Sequence, residues 1–185
     1  SLYEQRPRPL EGSFFTVSDL LVDGEAVDYP NHCDGVFAVV DSATKTGNTN
    51  DGTAVIYFAR SQQIGHPLIM LDWDIVQIEG ALLESWLPGV YTHLEQLAQD
   101  TGARMGSLGV WIEDKASGMI LLQQAARRGL AAYPIDSKLT AVGKSERAIS
   151  VSGYVFRKMV KFSKTAYDRV KSYKGATKNH LLSQI

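Results

Sequence analysis

The chain has 185 residues, of which 44% are hydrophobic and 21% are charged, so it can bury the core of one domain. This composition excludes a chain that is disordered throughout, and no apolar run approaches the ~20 residues that span a bilayer. The first residues do not resemble a signal peptide. The single cysteine, Cys33, excludes a disulfide framework and suggests a reducing compartment.

The formal net charge of −1 conceals a strong asymmetry along the chain. Between Lys138 and Lys178 there are eleven lysines and arginines but only two acids, which gives a local charge of about +9 and leaves about −10 for the remainder. A basic segment beside an acidic region favours a polyanion, such as nucleic acid, as the partner. The alternative is a solvated basic surface that binds nothing.

The first part of the chain predicts a lead-in segment followed by three strands. Residues 1–33 have weak periodicity and contain Pro7, Pro9 and Pro30, so we expect an extended lead-in or linker. Short apolar runs then predict strands over 36–41, 53–59 and 68–77. The polar, glycine-containing stretch between the first two runs predicts a hairpin with a long loop.

The later elements alternate between helix and strand. From about residue 80, apolar residues recur every three or four positions, which predicts an amphipathic helix interrupted at Pro88–Gly89. The pattern then predicts a strand over 109–114, a helix over 118–128, a strand over 131–135, a helix near 145–152, a strand near 154–162 and a helix from 165. This order indicates one α/β domain over 34–185. Its mixed sheet would have three antiparallel strands, then parallel strands, with helices on both faces.

Carboxylates end two of the predicted strands. Asp41 closes the first strand and Asp114 closes the fourth, so parallel pairing of these strands would bring the two side chains together. Oxygen ligands held in this way suit Mg²⁺ or Mn²⁺, and a pair of such ions can hydrolyse a phosphodiester. Glu113 is a further candidate, but strand alternation separates it from Asp114, and we favour Asp114. Alternatively, Asp41 and Asp114 are simply polar residues that begin loops.

The same segments resemble the nuclease domain of tailed-bacteriophage large terminases, which is RNase H-like. Val39-Val-Asp-Ser-Ala-Thr44 followed by Asp51-Gly-Thr-Ala-Val55 resembles the first acid motif and second strand of that family. Trp111-Ile-Glu-Asp-Lys-Ala-Ser-Gly118 resembles the second acid motif, and Leu71-Asp-Trp-Asp74 with Gln77-Ile-Glu-Gly80 resembles the third strand. The resemblance covers about four-fifths of the chain, from Asp34 onwards.

The resemblance implies a Mg²⁺- or Mn²⁺-dependent endonuclease that cleaves concatemeric double-stranded DNA during genome packaging by a two-metal reaction. Asp41 and Asp114 would be the catalytic metal ligands, with a third acid expected beyond Ile185, and Asp72 or Asp74 is a possible auxiliary ligand. The family's partners are an ATPase motor domain, a small terminase subunit and a portal, in the cytoplasm of an infected bacterium. The chain contains no Gly-x-x-x-x-Gly-Lys-[Ser/Thr] motif that would supply the ATPase itself.

The basic segment supplies the candidate DNA contacts. The side chains that we expect to meet phosphates are Lys115, Lys144, Arg147, Arg157, Lys158, Lys161 and Lys164. Three alternatives remain at this point: an RNase H-like recombinase or resolvase, a DNA-binding module without catalysis, and a phosphatase resembling the haloacid dehalogenases. In the phosphatase, Asp72 would be the nucleophile and Asp74 the general acid.

Overall fold

The computed structural model describes residues 16–42, 52–62, 67–77, 83–113, 117–135 and 160–185. Its strands are β1 (Gly35–Asp41), β2 (Thr53–Arg60), β3 (Leu68–Val76), β4 (Ser107–Glu113), β5 (Ala132–Ile135), β6 (Val160–Phe162), β7 (Lys171–Tyr173) and β8 (Ala176–Lys178). The helices are α1 (Leu83–Asp100), α2 (Ser117–Arg127) and α3 (Lys164–Asp168), with 3-10 turns at Val17–Leu20 and Leu182–Gln184.

Six strands form one mixed sheet in the order β5-β4-β1-β2-β3-β6. β2 pairs antiparallel with β1 and with β3, whereas β4 runs parallel to β1, β5 to β4, and β6 to β3. This is the predicted RNase H-like arrangement, in which an antiparallel meander is extended by parallel strands. Strands β7 and β8 form a separate hairpin.

The two long helices cover one face of the sheet, which we call the α1 face. Side chains alternate along β1, so Val36, Ala38 and Val40 point to this face and are fully buried. They pack with Leu94 of α1 and Leu121 of α2 in the larger apolar core. Burial of such aliphatic side chains stabilises the fold by roughly 1.5–3 kcal/mol each.

The intervening residues of β1 point to the other face, which we call the Trp111 face. A row of aromatic rings crosses four strands there. The ring of Phe37 stacks on that of Phe58 at 5.2 Å between centroids and meets the edge of Trp111 at 5.8 Å, and Trp111 lies 4.9 Å from Tyr133. The row fixes the register of these strands through cross-strand contacts.

A second apolar core lies beyond the aromatic row, near β3 and β6. Leu20 and Leu21 pack there with Trp73 and Phe162, so the described residues 16–33 contact the sheet. Val27 also forms a parallel bridge with Ser163. The division of the chain at residue 33 stays a prediction.

Two predicted helices differ from the observed ones. Helix α1 continues through Pro88, which lies in its second turn, and the predicted interruption at 88–89 is wrong. Proline removes one backbone donor there, but packing of Leu87, Val90 and Leu94 outweighs that loss. The predicted terminal helix ends at Asp168 as α3, and the β7–β8 hairpin follows it.

The hairpin has a specific cause in the sequence. Lys174 and Gly175 link β7 and β8 with φ angles of 49° and 76°, a left-handed pair typical of a two-residue hairpin turn. The predicted helix near 145–152 and most of the predicted strand near 154–162 lie outside the described residues.

Candidate functional site

Two carboxylates end neighbouring parallel strands at the same edge of the sheet. Val39 pairs with Trp111 and Val40 with Ile112, and Asp41 and Glu113 are the next residues of the two strands. Adjacent strands are separated by about 4.8 Å. Continued by one residue, this register would set Asp41 beside Glu113.

Strand alternation puts both of these carboxylates on the Trp111 face. Val40 and Ile112 are buried on the α1 face, so their successors in each strand point the other way. The preference for Asp114 rested on alternation within β4 alone, whereas alternation within β1 places Asp41 on the same face as Glu113. Asp114 lies outside the described residues, so its distance from Asp41 is untested.

The pair of carboxylates fits part of a cation site. Two negative charges on adjacent strands repel each other, and a divalent cation bound between them removes that cost. In the part of the chain that the structure describes, no group of three acidic, histidine or cysteine side chains is placed to hold a metal ion. The role of Asp41 as a metal ligand, that of Glu113 and the ligands that would complete a site stay predictions.

Asp72 and Asp74 do not join this pair. They lie on β3 opposite Tyr57 and Val55, so β2 separates them from β1 and they point to the α1 face. Asp74 nevertheless lines a groove that also includes Asp41, and the role of Asp72 or Asp74 as an auxiliary metal ligand stays a prediction.

The two β3 carboxylates instead bind cationic side chains. Asp72 is 5% exposed, and its Oδ2 lies 2.8 Å from His93 Nε2 on α1. Arg169 Nη1 is 3.8 Å from Asp72 Oδ1 and its Nη2 is 3.4 Å from Asp74 Oδ1, while Lys171 pairs directly with Asp74. These contacts tie β3 to α1 and to the chain after α3. They also leave Asp72 engaged, which gives the phosphatase alternative no support.

A cleft of about 300 Å³ lies beside these ion pairs and is lined in part by Tyr57 and Trp86. Tyr57 is 4% exposed, and its ring meets the imidazole of His93 edge-on at 4.7 Å. Burial raises the pKa of the Tyr57 hydroxyl, and the nearby charges of Asp74 and Asp72 raise it further. The phenol is therefore neutral at physiological pH.

A groove of about 540 Å³ runs along the Trp111 face to Asp41. One wall is formed by β1, β2 and β3, including Asp74, and the opposite wall by the β7–β8 hairpin and the chain after it. The side chains lining the groove include Asp41, Ile56, Ile75, Tyr173, Lys174 and Lys178. Acidic and basic side chains thus face the same channel, a feature that the sequence pattern did not predict.

The predicted phosphate contacts divide into three groups. Lys161 is 1% exposed, and its Nζ donates to the carbonyls of Asp19 at 2.8 Å and Leu21 at 3.0 Å, so its prediction as a DNA contact is wrong. Lys164 is exposed and pairs with Asp28 at 3.0 Å, which raises the pKa of its ammonium. The residues outside the described part of the chain are Lys115, Lys144, Arg147, Arg157 and Lys158.

Known proteins share this fold at low sequence identity. No protein-family model and no curated protein sequence matches the chain. Among solved structures, the large terminase of a thermophilic bacteriophage superposes with a TM-score of 0.50 at 12% identity, over 95% of this chain and 43% of that protein. The human cytomegalovirus terminase nuclease domain, manganese-soaked and inhibitor-bound, gives a TM-score of 0.47 at 10% identity, over 83% of this chain and 73% of that domain.

The chain is thus an α/β protein with the mixed sheet that the sequence predicts. Its fold is similar to that of the phage large terminase, and the chain spans less than half of the length of that protein. In the part of the chain that the structure describes, no helix is both long enough and apolar enough to cross a membrane.

Proposed function

We propose that the chain is a metal-dependent DNA endonuclease domain of a phage terminase large subunit. The observation that carries the proposal is that β1 and β4, which pair in parallel, end at Asp41 and Glu113 in a fold similar to that of a phage large terminase. The substrate in this proposal is concatemeric double-stranded DNA, cut at its phosphodiester bonds during genome packaging.

The proposed metal ligands are Asp41, Glu113 and Asp114, together with a further acid beyond Ile185. Carboxylate oxygens suit Mg²⁺ and Mn²⁺, and such ions would activate water and stabilise the leaving oxygen. Asp41 and Glu113 would hold the cations at the groove, and they would also keep anionic DNA at a distance until cations are bound. Both effects are expected from the same two charges.

The other parts of the proposal rest on the family resemblance. Lys164 and the basic residues outside the described part would contact phosphates. An ATPase motor domain, a small terminase subunit and a portal would be the protein partners, and the host cytoplasm would be the compartment. An RNase H-like resolvase would use the same carboxylates, and its preference for branched DNA over linear duplex would distinguish it.

Plasmid nicking in Mn²⁺ tests the proposal. Asp41→Asn and Glu113→Gln keep side-chain size but remove a charged ligand, so we expect each to lower the cleavage rate by at least ~100-fold, since metal stabilisation of the transition state is worth several kcal/mol. Asp114→Asn shows whether that carboxylate is a ligand as well.

Glu95→Gln on the exposed side of α1 is the matched control, and it should cut DNA at the unmodified rate. Equal cutting by the unmodified chain, Asp41→Asn and Glu113→Gln would end the proposal. Equal binding without any cutting would favour a DNA-binding module instead.

A further inference from the structure

We propose that the β7–β8 hairpin is a DNA-contacting wall, whose lysines Lys174 and Lys178 hold the phosphate backbone in the groove that ends at Asp41. This inference rests on the proposed function and adds to it a surface and a partner chemistry. Neither lysine is among the contacts predicted from the sequence.

The hairpin has internal contacts that fix its shape. The hydroxyls of Ser172 and Thr177 lie 2.5 Å apart across the two strands. His180 is buried, and its Nε2 lies 2.8 Å from the Lys171 carbonyl and 3.1 Å from the Ala176 carbonyl, so one imidazole bridges both strands. A hairpin bridged in this way can present its side chains at a fixed position.

The hairpin is also anchored to the sheet from one side. Lys171 pairs with Asp74, and Arg169, just before β7, reaches both Asp72 and Asp74. The indole Nε1 of Trp73 donates to the Ala166 carbonyl at 2.9 Å. The β3 carboxylates therefore neutralise Arg169 and Lys171 at the base of the hairpin. Lys178 lies opposite Lys171 on β8, and Lys174 lies at the turn.

The ring of Tyr173 packs against the end of β2. A methyl group on Gly52 would overlap the Tyr173 hydroxyl, which shows how closely the two elements approach. This contact leaves the groove between the hairpin and β1, with Lys174 and Lys178 on one wall and Asp41 on the other. Lys174 Nζ also lies 5.5 Å from the centre of the Tyr173 ring.

This arrangement of charge suits a phosphodiester backbone. Two exposed ammonium groups on one wall attract a polyanion, while Asp41 in the same groove repels it unless cations are bound there. Asp74 also lines the groove, but it is paired with Arg169 and Lys171. A neutral ligand would gain nothing from the lysines, and an acidic peptide offers no regular spacing of negative charge. The lysines would thus position the strand whose phosphodiester lies at Asp41.

The test compares two variants that each lose two positive charges. Lys174→Gln with Lys178→Gln removes the lysines of the groove, and Arg60→Gln with Arg104→Gln removes two exposed cations from the opposite end of the sheet. Binding to a short DNA duplex is measured in Ca²⁺ over a range of NaCl concentrations. A plot of the logarithm of the DNA-binding constant against the logarithm of the NaCl concentration has a negative slope. Loss of two phosphate contacts should make that slope less steep by about 1.8.

We expect the hairpin variant to bind at least about 10-fold more weakly at moderate salt and the arginine variant to bind like the unmodified chain. Lys174→Arg with Lys178→Arg should retain binding, because the charge is kept. An unchanged slope in the glutamine variant, or an equal loss in both double variants, would overturn the inference. Thermal unfolding of each variant shows whether the hairpin variant is folded.

Cleavage assays separate this inference from the proposed function. If the hairpin variant binds weakly while Asp41→Asn still cuts DNA, the wall is supported and the proposed active site fails. If Asp41→Asn abolishes cutting while the hairpin variant binds and cuts normally, the active site is supported and the wall fails. Where both hold, the hairpin variant should show a raised KM and a nearly unchanged kcat.

Discussion

Asp72 is a carboxylate whose surroundings favour a structural role over a catalytic one. It accepts a hydrogen bond from the backbone N–H of Trp73 at 2.8 Å in addition to its contacts with His93 and Arg169. A buried carboxylate with several donors is costly to disrupt, because the donors are left without their acceptor. Asp72 and Asp41 both follow an apolar run in the sequence, and no local pattern shows that Asp72 is held by ion pairs.

The substitution Asp72→Asn tests this difference between the two aspartates. We expect it to lower the free energy of unfolding by roughly 1–3 kcal/mol, because the ion pairs are lost and the amide N–H₂ faces other donors. Urea denaturation measures the change, and Asp41→Asn is the companion variant that should lose cleavage without a comparable loss of stability. Loss of cleavage with unchanged stability in Asp72→Asn would show that Asp72 is a catalytic acid after all.

At the scale of elements, the contact between β2 and the β7–β8 hairpin can be tested with a single methyl group. Gly52→Ala would place its Cβ 2.7 Å from Tyr173 Cζ, so the ring must move and the hairpin with it. We expect a destabilisation of about 1–3 kcal/mol, as for other overpacked sites. Gly89→Ala is the matched control, because open space surrounds that helical position and alanine favours helix by ~1 kcal/mol.

A double-mutant cycle with Tyr173→Ala shows whether the predicted clash is the cause. Without the Tyr173 ring, Gly52→Ala should cost little free energy of unfolding. The coupling energy between the two substitutions should then be well above the ~0.5 kcal/mol expected of independent sites. Additive effects in the cycle, or a Gly52→Ala variant as stable as Gly89→Ala, would contradict the packing described here.

The elements that the sequence predicts well are those whose pattern is local. Strands β1 to β4 follow from apolar runs of the right length, and Asp41 follows from its position at the end of one of them. Which acid of β4 lies level with Asp41 could not be predicted in this way, because that depends on the register between β1 and β4, which lie about seventy residues apart in the sequence. Burial of Lys161 depends on carbonyls about 140 residues earlier, which no local pattern reveals.

Over the whole molecule, the two faces of the sheet have different tasks. The α1 face carries the larger core, the buried Tyr57 and the half-buried Tyr91. The Tyr91 hydroxyl donates to the Ala131 carbonyl at 2.7 Å and so links α1 to the start of β5. The Trp111 face carries Asp41, Glu113 and the hairpin groove. Substitutions on the α1 face should therefore alter stability, and those around the groove should alter DNA binding and cleavage.

Tyr57 and Tyr91 on the α1 face also predict how the free energy of unfolding depends on pH. Burial raises the pKa of Tyr91 to about 12 and raises that of Tyr57 as well. Below about pH 10 both phenols are neutral in the folded and the unfolded chain, so they cause no pH dependence there. Above pH 10 the unfolded chain ionises first, and stability is lost as the pH rises towards the folded-state pKa.

Urea denaturation between about pH 9 and pH 11.5 measures this loss. Burial and nearby charges, not a hydrogen bond, account for the raised pKa of Tyr57, so Tyr57→Phe should change the free energy of unfolding at pH 7 by less than ~0.5 kcal/mol. The same variant should lose stability less steeply above pH 10, because it cannot ionise when unfolded. If Tyr57→Phe declined as steeply as the unmodified chain, burial of this phenol would not be a cause of the alkaline instability.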